Sequence, residues 1–343
     1  MGSNSIFHHT ISIMKKHFLT SIGALFLLVS AVISCTDHEV PIPEPTQLTA
    51  SNLFSGLRAP IGMAKDNRGN LWISEIGTGK NDGAVVMISP DGTKTTFVSG
   101  FTSVMGPEGG AEGISHVMFH DAKLYILHGI DGKLFIADVS GFKTGDPERK
   151  MSDLIVHEYG QLIRKIKPTK DTNSNLYDMT VGPDHNIYMV DAGANAVFKR
   201  ENSTGDISLF ASLPEVGTGP IVDAVPTGIV FDGSKFLIST LSGGPFVKGS
   251  AKIFSVDMNG TVGVHSEKFT TLTHITLTAN NKPLVIRFAN FDKGFVPFSG
   301  AVLDENGKEL LGGLMMPTDI KRTGDREFYL LSMPLGTVQK LTY

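Results

Sequence analysis

The chain has 343 residues, 41% of them hydrophobic and 19% charged, which is enough apolar matter for a sizeable core and excludes a disordered chain. A formal net charge of -4 argues against a basic face for phosphate backbones, so no nucleic-acid partner is expected. The single cysteine excludes an internal disulfide and a Cys-ligated zinc.

In chain order, Lys15 and Lys16 precede an uncharged, mostly apolar stretch from Phe18 to Ser34. It is too short for a comfortable membrane span and has the charge layout of a secretory signal, with Met14 a candidate start. The stretch ends Val32-Ile33-Ser34-Cys35, which resembles the bacterial lipobox. Residues 1–34 are therefore expected to be a lipoprotein signal peptide, with Cys35 lipidated and the membrane as partner. The expected location is the bacterial cell envelope, periplasmic or at the cell surface. More than one acyl chain gives lasting anchorage, at about 0.8 kcal/mol per buried CH2. Residues 35–46, with Pro41, Pro43 and Pro45, read as an extended tether.

Residues 47–343 carry a phrase that returns about every 45 to 60 residues: an apolar pair, a turn rich in Asp, Asn and Gly, then an apolar run. The six copies run Gly62 to Glu75, His116 to His128, Asp178 to Asp191, Gly228 to Thr240, Ile275 to Phe288 and Asp319 to Ser332. Second hairpins follow most copies, with turns at Asp91-Gly92, Thr204-Gly205, Asn259-Gly260 and Asn306-Gly307. Four antiparallel strands in six units predict an all-β fold, a six-bladed β-propeller. The last copy lacks an outer strand, and Leu48 to Phe54 is an apolar segment without a hairpin partner. It is expected to complete the last blade and close the ring. Trp72 falls in a buried-strand run and reads as core. The longest irregular connection, Ser140 to Thr172, is basic and reads as a solvated loop or a contact segment; no useful helical period is found.

Several stretches resemble the ScyD/ScyE family of secreted six-bladed propellers related to NHL-type repeats. They are Leu57-Arg-Ala-Pro-Ile-Gly-Met-Ala64, Pro107-Glu-Gly-Gly110, Asn173-Ser-Asn-Leu-Tyr177, Val190-Asp-Ala-Gly-Ala-Asn195, Ala224-Val-Pro-Thr-Gly228 and Leu241-Ser-Gly-Gly-Pro-Phe246. The resemblance covers roughly residues 47–343 and implies the fold, while it implies no agreed reaction.

In such a propeller the inner strands converge on the axis, so equivalent positions form rings. The first expected ring is Gly62, His116, Asp178, Gly228, Ile275 and Asp319; the second is Glu75, His128, Asp191, Thr240, Phe288 and Ser332. Loop residues Glu108, Glu112, Asn173, Asn175 and Asn195 overhang one end in this reading. Glu75, Glu108, His116, His128, Asn175, Asp178, Asp191 and Asp319 are thus the candidate ligand or metal site. Oxygen donors suit a divalent cation, Ca²⁺ foremost, while imidazole pulls toward a transition metal. A crowded polar channel also takes such side chains with no ligand at all. Calcium-dependent lactonases place a Glu, Asn, Asn, Asp set on their inner strands, and the ring read here departs from it. Thr240 and Phe288 stand where the resembled family tends to carry acidic residues.

No Gly-x-Ser-x-Gly, His-Glu-x-x-His or Walker sequence occurs. The sequence therefore points to a lipid-anchored, monomeric propeller that binds a small molecule or protein at one channel end, on the side of blades one to three. A gluconolactonase-like metal-dependent hydrolase and a non-catalytic surface scaffold are the alternatives.

Overall fold

The computed structural model describes residues 41–106, 109–167 and 173–343. The signal segment 1–34, Cys35 and Glu108 lie outside the described residues.

The recurring turns form because an aspartate folds the backbone onto its own carboxylate. Asp257 Oδ1 accepts the N–H groups of Asn259 and Thr261, and Asp304 Oδ1 those of Asn306 and Lys308. Asp66 does the same for Arg68 and Asn70, and its other oxygen accepts Trp72 Nε1–H at 3.1 Å. That bond lets the one tryptophan be fully buried, packed edge-on to Phe97.

Six four-stranded antiparallel sheets result. Their inner strands are Pro60–Lys65, Ile114–His120, Leu176–Val181, Pro226–Phe231, Leu272–Leu277 and Pro317–Gly324. Six apolar clusters fill the spaces between neighbouring blades, so each second strand is buried on both faces, as in Leu71–Glu75 and Ile187–Asp191. The molecule is a six-bladed β-propeller. Its last sheet is completed by Thr49–Ser55, which pairs antiparallel with Thr337–Thr342, so the first strand of the body closes the ring.

Two readings of the connection after blade two need correction. Its residues Ile155–Glu158 form the outer strand of blade two, and Gly160–Ile166 forms a short helix that buries Ile163. The helix is a seven-residue piece with two buried residues, too short for a helical period to register in the sequence.

Each inner strand carries an irregularity of register near its start. There, side-chain hydroxyls cross to the next blade. Thr227 Oγ1 donates to Leu272 O, Thr273 Oγ1 to Pro317 O, Thr318 Oγ1 to Pro60 O, and Ser74 Oγ to Ser115 O. These bonds tie blades four, five, six, one and two to one another in succession near the axis.

Candidate functional site

The residue opposite the second-strand position is fixed by pairing: Gly62 faces Ser74, Asp178 faces Val190, Gly228 faces Ser239, Asp319 faces Leu331. In blade five the residue so placed is His274, opposite Ile286. The inner ring is therefore Gly62, His116, Asp178, Gly228, His274, Asp319, a Gly-His-Asp triplet repeated across the axis. The expected ring member Ile275 is one residue out; it pairs with Val285 and lies in the core between blades four and five. The same slip misplaces Phe288, since Arg287 pairs with Leu272 at the second-ring position. A strand alternates its faces with period two, so one residue of slip exchanges axis for core.

The glycines are where they are because the chains touch. A Cβ on Gly62 would stand 2.5 Å from His116 Cα, and one on Gly228 would stand 2.9 Å from Ile275 N and 3.1 Å from His274 Cα. Each glycine makes room for the histidine strand beside it. Each aspartate holds the blade beyond: Asp178 Oδ2 accepts Ile229 N–H at 2.9 Å, and Asp319 Oδ2 accepts Met63 N–H at 2.7 Å.

The histidines meet at the axis. The imidazoles of His116 and His274 stack with centroids 5.0 Å apart. His116 Nδ1–H donates to Tyr177 O at 3.0 Å, which leaves Nε2 as the free nitrogen. His274 Nε2 lies 3.2 Å from Asp178 Oδ2, and its Nδ1 lies 3.2 Å from Asp319 Oδ1. Lys321 Nζ stands 3.2 Å from His274 Nε2 and 3.8 Å from Asp319 Oδ1. Burial pushes His116 down to about 4, against the pull of Asp178 and Asp319, so its imidazole is neutral at pH 7. Burial alone would raise the Asp178 carboxyl; Lys321 and His274 beside it win and hold it far below the carboxylate range. His116, Asp178, His274 and Asp319 are all at most 1% exposed, so the ring is closed to solvent.

The second ring does a different job. Glu75 Oε1 accepts Arg58 N–H at 2.9 Å and pairs with Lys94 at 2.7 Å. His128 Nε2–H donates to Thr102 O, and Asp191 accepts from Asn175 N, Ala194 N and Ser174 Oγ. Thr240 bonds the backbone of Lys252, and Arg287 donates to Ser299 O. These side chains fasten loops, and they do not converge with the inner ring. Burial raises the Asp191 carboxyl and lowers His128.

The loops fastened by Asp191 open a cleft of about 430 Å³ between blades three and four, lined in part by Asn173, Asn175, Asn195, Glu215 and Asp223. Asn195 sits at φ +56°, accepts Val225 N–H and donates to Leu213 O, so it braces the cleft wall. This polar cleft borders blade three, one of the blades one to three that the sequence suggested, and blade four; a second cleft of about 430 Å³ lies between blades one and two, lined in part by Thr102, His128, Asp131, Lys133 and Glu158. Of the candidate residues, Asn175 reaches this cleft; His116, Asp178 and Asp319 join the sealed ring; Glu75, His128 and Asp191 hold loops. His274, Arg287, Glu215 and Asp223 were missed. A signal for His274 exists: the bridging threonine immediately precedes the ring residue in Thr227-Gly228, Thr273-His274 and Thr318-Asp319.

No protein-family model matches the chain, and no curated protein matches it. Solved structures do. A protein of unknown function from Bacteroides thetaiotaomicron is 12% identical with TM-score 0.58, covering 86% of this chain and 76% of that one. A gluconolactonase from Xanthomonas campestris is 12% identical with TM-score 0.55, covering 87% and 90%. A luciferin-regenerating enzyme is 12% identical with TM-score 0.54, covering 86% and 95%. At such identity the likeness is one of fold, and it agrees with the blades described above: the chain is a six-bladed β-propeller of the kind these proteins share.

Proposed function

We propose that this protein is a lipid-anchored, extracytoplasmic propeller of the ScyD/ScyE type that binds a small, hydroxyl-rich ligand in the cleft between blades three and four. The lipobox-like Val32-Ile33-Ser34-Cys35 and the proline tether support the anchor. One observation carries the binding reading: two amides and two carboxylates line this open cleft together, while the ring at the axis is closed. Amides of Asn173 and Asn175 both donate and accept, and Glu215 and Asp223 accept, which together suit the hydroxyls of a sugar, polyol or sugar lactone.

A hydrolase reading of the gluconolactonase type rests on the fold and would put substrate against the ring. The ring's closure counts against it.

The test is a melting-temperature screen of the purified full chain in detergent against monosaccharides, aldonolactones and polyols. A stabilising compound whose effect is lost in Asn175→Ala and Asp223→Ala supports the cleft. Absence of any stabiliser, or one unaffected by both changes, would leave a scaffold. Membrane-fraction association that persists in Cys35→Ser would overturn the anchor.

A further inference from the structure

We infer that His116 Nε2, His274 Nδ1 and Asp319 Oδ1 form a three-ligand site for a divalent first-row transition metal ion, Zn²⁺ in type, enclosed in the inner ring. This site is separate from the cleft and does not depend on the binding reading above.

Seven buried side-chain nitrogen or oxygen atoms among the described residues make no hydrogen bond, and these are three of them, although His274 Nδ1 and Asp319 Oδ1 face each other at ion-pair distance. An unmet buried polar atom is costly, and three in one place ask for a common partner. The ligating atoms of the three residues all lie within 4.8 Å of one another. His274 Nδ1 and Asp319 Oδ1 are 3.2 Å apart. That is close to the edge of a tetrahedron with zinc–ligand bonds of about 2.0 Å, roughly 3.3 Å.

The far side of every ligand is already held. His116 Nδ1–H donates to Tyr177 O, His274 Nε2 lies 3.2 Å from both Asp178 Oδ2 and the competing Lys321 ammonium, and Asp319 Oδ2 accepts Met63 N–H. A histidine whose second nitrogen is engaged by a carbonyl or carboxylate is the arrangement that orients imidazole toward a metal. Charge agrees as well. Two carboxylates face one ammonium, Lys321, so one positive charge is wanted. A proton on His274 would meet the same need, and the experiment below separates the two. Two imidazoles in the set move the preference from Ca²⁺, which takes oxygen ligands, to zinc-like ions.

Chelator-treated full chain in detergent is titrated with Co²⁺ and followed by its visible d–d absorption. We expect one equivalent of Co²⁺ bound in a tetrahedral-type spectrum and displaced by Zn²⁺ but not by Ca²⁺. His274→Gln and His116→Gln should abolish the band, and His128→Ala should leave it. Asp178→Asn should weaken Co²⁺ about 10- to 100-fold by releasing the imidazole it orients. Lys321→Met, which removes the competing ammonium from a partly exposed position, should tighten it and keeps the test valid if a histidine variant fails to fold. No band in the wild type, a band surviving both histidine changes, or no tightening in Lys321→Met would overturn the site.

Discussion

Asp178 and Asp319 occupy equivalent positions on opposite sides of the propeller axis, and each accepts the backbone N–H that follows the glycine of the next blade. For Asp178 that donor is Ile229, and for Asp319 it is Met63, across the seam between last and first blades. Two carboxylates thus serve as rivets between inner strands while also facing His274.

Asp319→Ala removes the acceptor of Met63 N–H and leaves Lys321 and His274 with one of their two carboxylates, Asp178. Breaking a buried pair of this kind should cost about 3 kcal/mol. Denaturant unfolding would show it as a lower midpoint, and an unchanged midpoint would remove the rivet role.

Gly62→Ala forces a methyl to within 2.5 Å of His116 Cα, which the packed strands cannot yield without moving apart. A loss of about 2 kcal/mol is expected, in the range for overpacking. Gly141→Ala, where a Cβ meets nothing within 4 Å, serves as control and should be near neutral. Equal melting of the two variants would contradict this account of the ring.

Deleting residues 47–55 removes Thr49–Ser55 and exposes the edge of Thr337–Thr342. It also removes Leu48, which is buried and whose N–H donates to Leu310 O. The body should lose its cooperative melting transition and aggregate through the open edge. Circular dichroism on heating checks this, and a truncated protein that melts like the full chain would refute closure.

Asp184 links acid sensitivity to blade three. Burial works to raise its carboxyl, but Lys199 at 3.0 Å, Asn186 and Tyr188 outweigh it and hold it near 2. The folded value is below the unfolded one, about 3.9. Its contribution is therefore full above about pH 4 and is lost as the pH falls toward 2. Urea unfolding at pH 5 and pH 2.5 should show a smaller pH dependence in Asp184→Asn than in the wild type; identical slopes would exclude the role.

Much of this protein was legible in the chain. The aspartate turns depend on neighbours two to four residues away, and the apolar runs depend on strand alternation, so local chemistry carries the repeat and hence six blades. The orphan segment before the first copy likewise announced its pairing with the last. The inner ring was legible in five blades of six. In blade five, both Ile275 to Phe288 and His274 to Arg287 keep the repeat's spacing, so periodicity alone accepts either.

What the sequence determined by itself is the architecture, because hydrophobic period and turn chemistry are local properties that six copies state repeatedly. What only the tertiary structure decided is which face each residue shows the axis, and hence that His274 meets His116 across it. The bridge from Thr273 to Pro317 O sets that register through the neighbouring blade, a contact 44 residues distant in the chain. It also decided that the ring is closed and the cleft open. The ring is closed because glycine lets neighbouring inner strands approach closely, and the cleft lies among the loops that Asp191 fastens.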